Sequence, residues 1–164
     1  MKRKVLVVDD ESSIREALSK VLHTEDYEVV SAANGQEAIE KFGQEKIDLL
    51  LLDLGLPVKD GWGMLEWLAH VNPLLPIIII TGRYEQRELA EAAGVDALME
   101  KPLDVPRLLQ TIRELMDEPM ELRAQRARNR TSSFRYVPCD NELFIQRLGE
   151  RFLGPYPCPE LNHT

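Results

Sequence analysis

Short apolar runs recur along the chain, separated by amphipathic stretches, and two of them, the leucine run Leu49-Leu50-Leu51-Leu52 and the isoleucine run Ile77-Ile78-Ile79-Ile80, contain no polar position. A strand without polar alternation has to be covered on both faces, which is the condition of a central strand in a parallel sheet. The other runs are Val5-Leu6-Val7-Val8, Glu28-Val29-Val30-Ser31 and Ala97-Leu98-Met99, and the leucine run is preceded by Ile47-Asp48. Five strands alternating with helices predict an α/β fold, a five-stranded doubly wound parallel sheet.

The intervening segments carry helical periodicity. Ile14, Leu18, Val21 and Leu22 form one apolar stripe, with Ser12 or Ser13 as the expected cap. Gly35 opens a helix through Phe42, Gly61 opens one through His70, Glu85 to Ala93 ends at Gly94, and Asp104 starts one through Met116. Right-handed crossovers divide such helices between the two faces of the sheet.

In an open parallel sheet, ligands bind outside the carboxyl ends of the strands. Here those ends are Asp9-Asp10, Asp53, Thr81-Gly82 and Lys101-Pro102. Crowded carboxylates stay ionised together when a hard divalent cation with oxygen ligands sits among them, and Mg²⁺ (or Mn²⁺) is the natural choice. A lysine supplies a mobile positive charge, and a threonine beside a glycine supplies donors for phosphate oxygens. A carboxylate nucleophile with these neighbours suits phosphoryl transfer, where alignment and charge neutralisation carry the chemistry. Each residue has an ordinary alternative as a loop acid, a helix cap or a surface lysine. Their joint occurrence at four strand ends outweighs those alternatives.

At this point the resemblance is specific. Val5-Leu6-Val7-Val8-Asp9-Asp10-Glu11, Asp53-Leu54-Gly55-Leu56-Pro57-Val58-Lys59-Asp60-Gly61, Thr81-Gly82 and Lys101-Pro102 resemble the response-regulator receiver family over residues 4 to about 117. The resemblance implies a flavodoxin-like receiver fold with Asp53 as phosphoacceptor. It implies metal ligation by Asp9, Asp10, Asp53 and the backbone carbonyl of Gly55, phosphoryl contacts from Thr81 and Lys101, and a cis Lys101-Pro102 bond. It also implies a sensor histidine kinase or phosphotransfer protein as donor and an output protein as target. Two departures stand out. Leu98 occupies the place, three before the lysine, where the family usually has an aromatic residue. The interval from Thr81 to Lys101 is also about two residues shorter than is common there.

Composition bounds the rest. The 164 residues carry a formal net charge of -8, which argues against general nucleic-acid binding. The opening apolar run stops at Asp9-Asp10, too short for an export signal, and no apolar stretch approaches the roughly 20 residues of a membrane span. A cytoplasmic location with reduced Cys139 and Cys158 is expected. The charge balance changes at Pro119, from net -10 over residues 1–118 to net +2 over 119–164. We therefore read a receiver unit, 1–118, and a short, partly helical C-terminal extension, 119–164.

The extension holds Arg123, Arg126, Arg128 and Arg130, a Pro-bounded piece from Phe134 to Pro138, and a predicted amphipathic helix from Asn141 to Leu153 before a Pro-rich end. That helix would pack on the receiver, on a second copy of the chain as a homodimer, or on a partner. Together with the segment from Gly82 to Gly94 it is the expected switching element in place of an aromatic at 98. Cys139, Cys158 and His163 lack metal-site spacing. A DNA- or RNA-binding regulator using the arginines is the alternative, although no helix-turn-helix pattern accompanies them. A conventional enzyme is not expected, because Gly55, two after Asp53, leaves no second acid for general acid/base work.

Overall fold

The computed structural model describes residues 1–55, 61–82, 86–128 and 134–138. In chain order these form β1 (Lys4–Val8), α1 (Ser12–Thr24), β2 (Glu28–Ala32), α2 (Gly35–Gln44), β3 (Leu49–Asp53) and α3 (Gly61–Val71). There follow β4 (Ile77–Thr81), α4 (Arg87–Ala92), β5 (Ala97–Glu100), α5 (Val105–Asp117), α6 (Met120–Arg128) and β6 (Arg135–Val137). All strand pairs are parallel, in the order β2-β1-β3-β4-β5-β6. The reversal of strand order beside β1 and β3 is the topological switch point at which ligands bind in such sheets.

The two faces carry separate cores. Leu6, Val8, Leu50, Leu52, Ile79 and Leu98 pack with Ala38 of α2, Met64 and Leu68 of α3 and Ala90 of α4. Alternate residues of the same strands, among them Val5, Val7, Leu51, Ile78 and Met99, pack with Leu18 and Leu22 of α1 and Leu108 and Ile112 of α5. The period-two alternation of side chains splits each uniformly apolar run between both cores, so β3 is buried throughout.

Among the described residues the sheet has six strands, one more than the sequence pattern predicts. Arg135, Tyr136 and Val137 pair with Ala97, Leu98 and Met99. Three residues bounded by Pro138 are too short for a periodicity signal, yet they cover the edge that β5 would otherwise expose. Other differences are local. Ser12 begins α1 rather than capping it; Glu11 holds the cap position and no side chain caps the helix. β3 starts at Leu49, and just before it Asp48 is tied to Lys4 twice, its carboxylate accepting the Lys4 N–H at 2.8 Å and its own N–H donating to the Lys4 carbonyl at 2.9 Å. Asn34 caps α2 by accepting from Glu37 N–H at 2.9 Å, and the Glu37 carboxylate accepts from Ala33 N–H at 2.9 Å. The helix after Thr81 is brief, with six residues in α4, and Gly94 closes it at φ 77°.

The arginine-rich piece is helical and folded back. Arg126 lies against the Asp96 carboxylate and makes a two-pronged pair with Glu118 at 2.6 to 3.1 Å, while Arg123 donates to the Leu115 carbonyl at 3.0 Å. Two of the four arginines considered for nucleic-acid contact are therefore engaged in the fold. Arg128 ends α6 and is exposed, whereas Arg130, Cys139, Cys158, His163 and the predicted helix 141–153 lie outside the described residues. No helix among the described residues is long and apolar enough to cross a membrane.

Candidate functional site: an acidic cluster at the carboxyl edge of the sheet

The predicted site residues lie at the ends of their strands or within two residues beyond them. Asp9 follows β1, Asp53 ends β3, Thr81 ends β4 and Lys101 follows β5. Parallel pairing brings these ends to one edge, because β1, β3, β4 and β5 are consecutive neighbours. Asp9, Asp53, Thr81 and Lys101 are buried, while Asp10 is exposed.

Lys101 Nζ sits between two carboxylates, 3.1 Å from Asp9 Oδ2 and 3.3 Å from Asp53 Oδ2. The remaining Asp9 oxygen, Oδ1, accepts the Glu11 N–H at 2.9 Å, and Asp53 Oδ1 accepts the Gly55 N–H at 2.9 Å. Lys101 is tied to the neighbouring strand by its own N–H, which donates to the Thr81 carbonyl at 2.8 Å. The Lys101–Pro102 bond is cis, as expected. Arg15, which the sequence pattern did not single out, donates to the Asp9 carbonyl at 2.7 Å and holds the acidic loop from α1. Its only sequence signal is its place on the first turn of α1, five residues after Asp10.

Two glycines shape the approach to Asp53. A Cβ at Gly61 would lie 2.9 Å from Leu54 Cδ2 and 3.1 Å from Leu54 Cα, so glycine lets α3 begin close against that backbone, and a larger residue would need the Leu54 side chain and backbone to give way. At Gly55 a Cβ would stand 3.5 Å from Asp53 Oδ1; its absence leaves that carboxylate open on this side.

The acids fit a cation. One carboxylate oxygen from each of Asp9, Asp10 and Asp53 lies within 4.8 Å of the others, an all-oxygen donor set of the type hard divalent ions take. Burial, with a further push from the Asp53 charge, raises the Asp9 pKa to about 6, against the lowering effect of Lys101 and the Glu11 N–H. Burial alone would lower the Lys101 pKa, but the Asp53 and Asp9 carboxylates outweigh it and hold the ammonium above its ordinary value.

A pH dependence follows. In the metal-free fold Asp9 holds its proton more tightly than in the unfolded chain, where the value is near 3.8. Its contribution to stability is complete below about pH 4 and is lost as pH rises through about 6. A divalent cation has to displace that proton, so metal affinity should weaken about tenfold from pH 7 to pH 5. Calorimetric metal titrations at the two pH values check this, and equal affinities would mean that Asp9 is ionised throughout or does not bind the ion.

A doubly wound parallel sheet with an acid cluster, a lysine and a threonine at its carboxyl edge defines a receiver-type signalling domain. The chain belongs to the response-regulator receiver family: the family model described as the response regulator receiver domain matches residues 5–113. It is thus a domain of two-component phosphorelay signalling. Similar curated proteins include the alkaline phosphatase synthesis transcriptional regulatory protein PhoP of Bacillus subtilis, 38% identical over 104 residues, covering 62% of this chain and 43% of PhoP. Sporulation initiation phosphotransferase F of the same organism is 31% identical over 118 residues, which are 71% of this chain and 95% of that protein. Among solved structures, the response regulator TrrA of Thermotoga maritima in complex with Mg²⁺-BeF matches with a TM-score of 0.64 at 32% identity, covering 69% of this chain and 98% of that one. The chain thus spans less than half the length of PhoP and nearly all of the phosphotransferase.

Proposed function

We propose that this chain accepts a phosphoryl group on Asp53 from a histidine kinase or phosphotransfer protein, and that the modification changes its contacts with an output protein in the cytoplasm. The observation that carries this reading is the buried Asp53 carboxylate, with Lys101 Nζ 3.3 Å away and two further acids in reach of a common cation. Asp53 Oδ attacks phosphorus, the bond from phosphorus to the donor nitrogen breaks, and the donor imidazole departs with its electron pair. Lys101 and Thr81 would donate to the transferred oxygens as their charge develops. Asp9 and Asp10, with Asp53 and the Gly55 carbonyl, would hold Mg²⁺ or Mn²⁺, which when bound neutralises the charge gathering between carboxylate and phosphoryl group. The complex of TrrA with Mg²⁺-BeF supports the choice of ion.

The chain would assist its own modification without being a conventional enzyme, because no acid at position 55 can activate water. Incubating it with acetyl phosphate and following intact mass tests the proposal. A phosphoryl mass increment should appear with Mg²⁺ and vanish with EDTA. Equal labelling in EDTA would refute a metal-assisted acceptor.

A further inference from the structure

Within strand β6, Tyr136 is the residue that reaches the strand ends carrying the site. In register, Tyr136 lies opposite Leu98, and both side chains join the same core face. The Tyr136 hydroxyl donates to Glu100 Oε1 at 2.7 Å. Glu100 is the register partner of Thr81 and the residue before Lys101. On its ring, Tyr136 carries the Arg87 guanidinium, 4.8 Å from the ring centre, and Arg87 opens α4 directly after the segment that leaves Thr81. Burial and the Glu100 carboxylate push the Tyr136 pKa up to about 12, so the hydroxyl remains a donor at neutral pH. One side chain therefore contacts the strand residue that leads into Lys101 and the helix that follows Thr81 in the chain.

We propose that β6 is an internal strap whose docking on β5 is coupled to the state of Asp53, with Tyr136 as the positioning residue that holds the Thr81–Lys101 edge in its unmodified arrangement. The proposal rests on the receiver reading above. A phosphoryl group on Asp53 brings charge near -2 and three acceptor oxygens. Lys101 Nζ, shared between Asp9 and Asp53, and the Thr81 hydroxyl are the donors it would draw in. The hydrogen bond from Lys101 N–H to the Thr81 carbonyl makes these two residues shift together. Glu100, bonded in the chain to Lys101 and opposite Thr81 in register, shifts with them, taking its carboxylate away from Tyr136.

The same movement reaches Arg87 through the chain. Both polar contacts of Tyr136 thus sit on parts that move, while the strap's own ladder is only three residues long and its other polar ties, from Arg135 to Glu114 at 3.5 Å and to the Asp96 carbonyl at 3.1 Å, lie at the opposite end from the site. Strap docking and occupancy of Asp53 oppose one another. By linkage the effect is reciprocal: a filled pocket loosens the strap, and a weakened strap favours the filled pocket.

The test uses the whole chain, with Mg²⁺ and beryllofluoride as the phosphoryl mimic, followed by Trp62 and Trp67 fluorescence and by amide exchange. Occupancy should speed exchange at 135–137 and 97–99. Tyr136→Phe should tighten beryllofluoride binding roughly fivefold and show the faster exchange before any mimic is added. Arg87→Ala, at an exposed residue, should act in the same direction, so the result does not hinge on how Tyr136→Phe folds. Binding by the wild-type chain with no change of affinity in either variant and no change of exchange at 135–137 would overturn the strap and leave the receiver reading intact. Slower exchange on occupancy, or weaker binding in the variants, would also overturn it. Failure of the wild-type chain to bind beryllofluoride with Mg²⁺ would remove the receiver reading, and the strap with it.

Discussion

Asp53→Asn is expected to reduce phosphoryl incorporation from acetyl phosphate to background while leaving the chain folded. The substitution keeps the shape of the side chain and an oxygen able to accept the Gly55 N–H, now made at 2.9 Å. It removes the negative charge and the nucleophilic oxygen. Its amide NH₂ would also face the Lys101 ammonium, 3.3 Å from the present Oδ2, as donor against donor. Asparagine turned the other way would satisfy Lys101 and lose the Gly55 bond, so neither orientation restores a nucleophile.

Fold integrity has a separate readout, because the residue ends a strand whose packing comes from Leu49 to Leu52. The melting temperature should stay within roughly 4 °C of the wild type, the shift that about 1 kcal/mol produces in a chain of this size. Undiminished labelling in the variant would move the acceptor to Asp9 or exposed Asp10 and undo the assignment. Loss of labelling with loss of fold would be uninformative for Asp53→Asn alone, and Asp53→Glu then separates the causes: it retains charge and displaces the nucleophile, so it should fold without regaining full labelling.

How far the sequence specified this arrangement depends on the range of the interactions involved. The uniformly apolar runs specify central strands, because burial on both faces is a local property of composition. Once the strands are parallel, their polar ends necessarily share one edge, which is why Asp9, Asp53, Thr81 and Lys101 are legible as one set in the sequence. Arg15 and Tyr136 could not. Arg15 acts through a backbone carbonyl that no motif encodes, and Tyr136 reaches Glu100 across 36 positions by way of a strand only three residues long. The alternation Phe134-Arg135-Tyr136-Val137 before a proline is an edge-strand signal in retrospect, too short to weigh alone. The missing cap at Ser12 has a similar origin: the Asp9 side chain takes the Glu11 N–H and shapes the turn before the helix. A site requirement prevailed there over local helix propensity.

The second large effect lies away from the site, at Arg126. Its guanidinium is mostly buried, at 12% side-chain exposure, and it bridges Asp96 and Glu118, which are 10% and 19% exposed. Asp96 is a junction. Its carboxylate accepts the Ile77 N–H at 2.7 Å, its N–H donates to the Ile77 carbonyl at 2.9 Å, and its carbonyl accepts the Arg135 N–H at 3.1 Å. The start of β4, the entry to β5, the start of β6 and helix α6 are thereby joined through one residue.

Arg126→Ala would leave the Asp96 and Glu118 carboxylates near one another without their cation, in a place where water reaches them poorly. Removing one partner of a buried pair costs about 3 to 5 kcal/mol. For a chain of this size that lowers the melting temperature by roughly 6 to 20 °C. Arg126→Lys should recover part of the loss, since an ammonium restores charge but not the two-pronged contact with Glu118. If Arg126 were instead a solvated arginine reserved for nucleic-acid phosphates, Arg126→Ala would melt within a degree or two of the wild type. The expected outcome is the large drop, with amide exchange accelerated at 135–137 as the junction at Asp96 loosens.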